Sequence, residues 1–315
     1  MNIPHAQTNT KRAGFIRVGL WGKQSGGPQN EWSFGLDQGQ KLRKITIDHG
    51  DDVIYSLMFT TEACGVFNTS NKFGGWNGGQ TVTLDSDEEI VGIKGSIGTK
   101  APYTIVSSLS FVTNKTTHGP FGGATNSEFS LPLEMGSLVG FYGLAGYYID
   151  GIGVYLKPHR ETMKIGTWGK TQPAGPQNNW SFQLEPTYHL TKITIDHGDL
   201  IYSLMFTAQC GELTNTSEKM GGWQGGEKVT EITFDEDEEI NCISGTVALS
   251  RGTYAGNTVI SSISFMTNKK VYGPFGNVRG TPFTVPWEDG SFAGFYGLAG
   301  YYIDSIGVYL KATNC

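Results

Sequence analysis

The chain has 315 residues, 45 of them glycine, with 12% aromatic and 17% charged residues and a formal charge of −6. That length holds two domains of ordinary size, and the composition suits short strands, tight turns and aromatic packing. The acidic balance excludes nucleic acid, which needs a basic stripe to displace counterions. No window approaches the roughly 18 apolar residues of a spanning helix, so no membrane insertion is expected.

Residues 1–13 are polar and lack the apolar stretch of a secretory signal, so they are expected to form a flexible tail. Beyond them the chain reads as a duplication, and that decides the domain count. Residues 140–150 read GFYGLAGYYID, and residues 294–304 repeat the same eleven letters. Ile45-Thr46-Ile47-Asp48-His49-Gly50 returns from Ile193 to Gly198, Gly74-Gly75-Trp76 as Gly221-Gly222-Trp223, and Gly119-Pro120-Phe121-Gly122 as Gly273-Pro274-Phe275-Gly276. The expected organisation is a first domain over 14–157, a linker over 158–163 and a second domain over 164–315.

Within the first copy, alternation and turn signals predict strands over 44–48, 53–60, 90–94, 105–113, 138–143 and 149–156, with no sustained helical period. Such spacing is that of an all-β sandwich, barrel or prism, and periodicity does not choose among them. Of the four cysteines, Cys64 and Cys210 are repeat equivalents, while Cys242 and Cys315 have no cysteine counterpart. All four read as free thiols, which with the missing signal predicts a cytoplasmic or nucleocytoplasmic protein.

Enzyme signatures such as HExxH, CxxC and GxSxG are missing, so no catalytic residue and no cofactor is expected. The duplicated Asp48-His49-Gly50 and Asp196-His197-Gly198 offer an acid–base reading, a glycosidase, against the plainer one of a strand end entering a glycine turn. Glycoside hydrolysis asks for two carboxylates facing one sugar, and no second one stands out. The acidic runs 85–89 and 235–239 lack calcium-loop spacing and read as solvated turns, so no metal site is expected. Trp76 and Trp223, in glycine-rich loops, leave a protein-interaction module as the alternative.

The segments Gly146-Tyr147-Tyr148-Ile149-Asp150 and Gly300-Tyr301-Tyr302-Ile303-Asp304 remain. They suit sugar recognition. An ionised carboxylate accepts from two adjacent hydroxyls in charge-assisted bonds, loop amides donate to other oxygens, and an aromatic ring covers the C–H face.

Val18-Gly19-Leu20-Trp21-Gly22 with Ile165-Gly166-Thr167-Trp168-Gly169, the stretches Phe111–Lys115 and Phe265–Lys269, the GPFG copies and the closing GxxxD loops with IGVYLK occur in the same order twice. Together they resemble the jacalin-related lectins from about residue 14 to the end. The resemblance implies two β-prism domains, each of three four-stranded Greek-key sheets, with one shallow metal-free sugar site apiece. It implies that backbone amides of Gly27, Tyr147 and Tyr148 and the carboxylate of Asp150 form the first site. Gly175, Tyr301, Tyr302 and Asp304 would form the second. The uncut first loops point to mannose and glucose, and to mannose-rich N-glycans, as partners. A homo-oligomer is expected, and a second sugar site per domain is not, because its acidic residue is replaced by Tyr55 and Tyr202.

Overall fold

The computed structural model describes residues 14–24, 30–75, 79–172, 178–222, 226–251 and 255–313. Among them every helical or strand element is a β-strand. Each half of the chain builds three sheets. In the first half, one sheet runs Val66–Thr69, Ile54–Ala63, Lys41–His49, Gln80–Thr83. Another runs Thr117–Gly122, Tyr103–Thr113, Ile90–Lys100, Glu128–Glu134. In both, three hairpin-connected strands are followed by a fourth that returns beside the first, which is a Greek key. The third sheet, Ile16–Gly22, Ile149–Pro158, Gly136–Ala145, Asn30–Gly35, takes strands from both ends of the half and so closes it. The second half repeats this plan, and the first sheet of each half gains one two-residue strand, Phe73–Gly74 or Met220–Gly221.

The alternation of buried and half-buried positions in strands such as Ile54–Ala63 aims one face of each sheet inward. One phenylalanine from each sheet then meets the others on the axis. Phe59 stacks on Phe141 at 4.9 Å, and Phe111 meets Phe141 edge-on at 6.0 Å. In the second half Phe206 and Phe265 meet Phe295 at 5.1 and 5.8 Å. All six are fully buried, each stabilising the fold by roughly 2–3 kcal/mol. Three inward faces closing on one aromatic axis make a β-prism.

The halves are not separate beads. Leu133 pairs with Ile165 and Glu134 with Lys164, which joins two four-stranded sheets into one of eight strands. The first strand of each half reaches across the junction. Trp21 Nε1 donates to the Thr284 carbonyl at 2.9 Å, and Trp168 Nε1 to the Ser130 carbonyl at 3.3 Å. Arg17 pairs with Glu288 at 2.9 Å. This packing covers a second face of the closing sheets, so strand Ile303–Lys311 is buried at every position but the last instead of alternating. The junction is also shorter than the expected linker: strands Ile149–Pro158 and Thr162–Gly169 leave only 159–161 between them, because Pro158 pairs with Gly136 and Thr162 with Lys311.

The acidic runs close one end of each prism. Lys115 pairs with Asp85 and Asp87, and Asn114 bonds the backbone of Asp87 and Glu89. Lys269 and Asn268 repeat the arrangement on Asp235, Asp237 and Glu239. Most of their carboxylates are tied to local partners, in turns that carry the chain from one sheet to the next and not in hairpins.

Candidate functional site

At the other end of the first prism, strands Gly136–Ala145 and Ile149–Pro158 are paired up to Ala145 and Ile149, leaving Gly146, Tyr147 and Tyr148 as the whole turn. The Gly146 amide donates to the Tyr148 carbonyl at 3.0 Å and holds it tight. Asp150, the second residue of the following strand, is 2% exposed, and its Oδ2 has no hydrogen-bond partner. The second domain is built alike: Ala299 pairs with Ile303, Gly300 donates to Tyr302 at 2.9 Å, and Asp304 is 2% exposed with an unpartnered Oδ2. A buried polar atom without a partner costs free energy, so it marks a place where a ligand's donor would be gained.

Burial pushes the Asp150 carboxyl up to about 6, against the pull of the Lys23 charge and the Gly146 amide. Asp304 is likewise pushed up to about 6 by burial, with Lys170 opposing. These lysines occupy equivalent places that sequence reasoning passed over. Lys23 N–H donates to the Asp150 carbonyl at 2.8 Å and Lys170 N–H to Asp304 at 3.0 Å. Each follows a glycine with φ near +100°, Gly22 or Gly169, whose added Cβ would lie 2.3 Å from the same aspartate carbonyl. Only glycine lets the first loop leave its strand pressed against the carboxylate. Gly27 and Gly175 lie further along that loop, outside the described residues, as do Trp76 and Trp223.

Neighbouring sheets supply the rest of the rim. Gly75 abuts the turn, its missing Cβ being 2.7 Å from the Tyr147 carbonyl, and its amide donates to Tyr55 at 3.2 Å. Tyr55 lies beside Tyr148, with ring centroids 5.8 Å apart. In the Asp-His-Gly segments the histidines serve packing, while Asp48 Oδ2 and Asp196 Oδ1 are also buried without a hydrogen-bond partner but are not set beside a tyrosine turn. His49 Nδ1 accepts from the Gly122 amide at 3.3 Å with its ring against Phe121. His197 bonds Thr230 at 2.9 Å with its ring against Phe275. Among the described residues no cluster of three His, Cys, Asp or Glu side chains is arranged to hold a metal, and Cys64, Cys210 and Cys242 are free thiols.

The jacalin-like lectin domain matches this chain twice, over residues 18–155 and 165–309, so the chain belongs to that family. It is 35% identical over 309 residues to a mannose/glucose-specific lectin of Parkia pendula, covering 95% of this chain and 65% of that one. A mannose/glucose-specific lectin of Parkia platycephala is 36% identical over 315 residues, covering 96% of this chain and 66% of its own. The chain thus spans just under two thirds of the length of both Parkia relatives. An agglutinin of Castanea crenata is 30% identical over 311 residues, covering 94% of this chain and 98% of that one. These relatives are lectins, and no enzyme family is indicated.

Proposed function

We propose that this protein binds mannose, glucose and mannose-rich N-glycans without a metal, through one site per domain, and catalyses no reaction. The observation that carries the reading is the duplicated aspartate: a buried carboxylate with one unpartnered oxygen, two residues after a Gly-Tyr-Tyr turn. Two vicinal hydroxyls of a pyranose match that acceptor, and the amides of Tyr147 and Tyr148, or of Tyr301 and Tyr302, lie in the adjoining turn to meet the other sugar oxygens. Gly27 and Gly175 would add an amide from the first loop. The mannose/glucose specificity of the Parkia relatives supports the choice of sugar.

A shallow site for one ring is worth about −4 kcal/mol, a millimolar dissociation constant. Two sites in one chain, multiplied by association into a homo-oligomer, raise avidity on a branched glycan by mass action alone. Titrating methyl α-mannoside into the Asp150→Ala, Asp304→Ala double variant tests the assignment. Heats should vanish while the melting transition stays, and heats equal to those of the parent protein would remove both aspartates from the site. Aryl mannosides and glucosides should release no chromophore on prolonged incubation.

A further inference from the structure

We propose that the two sites differ in what they hold: the first domain takes an oligosaccharide along an aromatic wall of Tyr148 and Tyr55, and the second takes a single terminal ring. The inference rests on the sugar-binding reading above and adds the ligand class of each site.

In the first domain, Tyr148 follows the carboxylate loop's open tip, and Tyr55 projects from a different sheet, on strand Ile54–Ala63. Both are half-exposed, and their rings tilt by only 34° at 5.8 Å, so together they form one shallow surface beside the turn that carries Asp150. Room for the Tyr55 ring comes from Gly50, where a Cβ would lie 3.2 Å from the phenol oxygen. An ion pair stands near both rings. Lys100, at the tip of a hairpin of the second sheet, Tyr103–Thr113 with Ile90–Lys100, holds Asp52 through both oxygens at 2.7 and 2.9 Å and lies within electrostatic reach of Tyr55 and Tyr148. An aromatic surface followed by a paired donor and acceptor suits a second sugar ring: the C–H face lies on the tyrosines and the hydroxyls bridge the charges.

The second domain carries the same tyrosines without the surface. Tyr302 is 8% exposed and packs with Leu200 and Val259 in a small apolar cluster that Tyr202 and Tyr301 join. Tyr202 meets it edge-on, at 63°. The glycine equivalent to Gly50, Gly198, faces the Glu227 side chain instead of a tyrosine, and that carboxylate adds a negative charge beside Tyr202. A second ring finds no continuous face there.

Titration of methyl α-mannoside and of α-linked mannotriose into single-site proteins tests this. The Asp304→Ala protein, with only the first site, should bind the trisaccharide about threefold to tenfold more tightly than the monosaccharide, the range expected for one aromatic contact. Tyr55→Ala in that background should bring the ratio to about one, and Tyr55→Phe should restore it. The Asp150→Ala protein should show a ratio near one, with or without Tyr202→Ala. A ratio that Tyr55→Ala leaves unchanged, or an equal preference in both single-site proteins, overturns the extended subsite while mannose binding stands. Absence of heat with methyl α-mannoside in the unsubstituted protein overturns the sugar-binding reading and the subsite with it.

Discussion

The turns that close the two sites share eleven consecutive residues, yet they present their tyrosines differently. Tyr147 is 78% exposed where Tyr301 is half-buried, and half-exposed Tyr148 corresponds to buried Tyr302. Backbone pairing is the same in both, from Ala145 with Ile149 to Ala299 with Ile303. The shared letters therefore set the turn and the carboxylate, while residues from other sheets set how much of each ring a ligand can reach. In the first domain those neighbours are Gly50, Tyr55 and the Asp52–Lys100 pair. In the second, Asp199 pairs instead with Arg279, from a loop that is not the counterpart of Lys100, and also accepts from Asn277.

The largest expected effect divides the two sites. Asp150→Ala alone should lower the number of methyl α-mannoside molecules bound per chain from two to one, and Asp304→Ala alone should do the same. Affinity at the surviving site should stay within about twofold, since independent sites do not couple. A stoichiometry that stays at two after either change, read by titration at saturating protein, would show that the carboxylate in question is not a ligand.

Acid should act on both domains together. Each carboxyl is pushed up to about 6 by burial, and its protonated form loses the charge that two hydroxyls need. Affinity for mannoside should then be flat above pH 7 and fall roughly tenfold per pH unit below about 6, one proton competing at each site. Titrations of the two single-site proteins between pH 4.5 and 8 would separate them: a midpoint near 4 in either one would mean that its carboxylate is not the buried group seen here.

Folding stability should show the opposite sign. With a folded-state value of about 6, above the unfolded value near 3.9, each aspartate binds more protons in the folded protein across that window. Stability from these groups is therefore full below pH 4 and lost as pH rises to 6. Asp150→Asn and Asp304→Asn remove the charge at nearly constant shape. Each should stabilise the protein at pH 7.5 by on the order of 2 kcal/mol and leave it unchanged at pH 4. Denaturant melts at the two pH values check this, and a loss of stability at pH 7.5 would mean that the ionised carboxylates already have internal partners.

What could be read from the sequence follows the same divide. Asp150 and its turn were legible because a charged residue in a verbatim repeat beside a glycine turn has a local signature. The three-sheet closure was legible only through the family likeness, since six alternating strands fit a sandwich or barrel as well. Strand Ile90–Lys100 runs six residues past its expected end at 94. It passes through Gly95, where an added Cβ would lie 2.4 Å from the Ser108 carbonyl oxygen and 2.6 Å from the Phe129 ring. Tyr55 stood out only as the residue replacing the acid of a second site, and Lys100, on a hairpin of another sheet, left no mark; tertiary closure sets Tyr55 beside Tyr148 and ties Lys100 to Asp52.

The smallest effect concerns the junction, where the two halves again do the same thing unequally. Trp21 and Trp168 are repeat equivalents, each stacked on a phenylalanine of its own domain, Phe129 at 4.8 Å and Phe283 at 5.1 Å, and each donating to a carbonyl of the other domain. The Trp21 bond is short, at 2.9 Å and to one acceptor, whereas Trp168 shares its proton between the carbonyl and hydroxyl of Ser130, both at 3.3 Å. Bond strength falls with distance and with sharing. Replacing each indole by phenylalanine keeps a ring in the stack and removes the donor. Trp21→Phe should therefore cost about 1 kcal/mol, and Trp168→Phe measurably less. Each should leave mannoside binding within about twofold, because the ring stays stacked and only a donor to the other domain is lost. Equal losses in denaturant melts would mean that the indoles act through packing alone, and the junction would then be as symmetric as the repeat that built it.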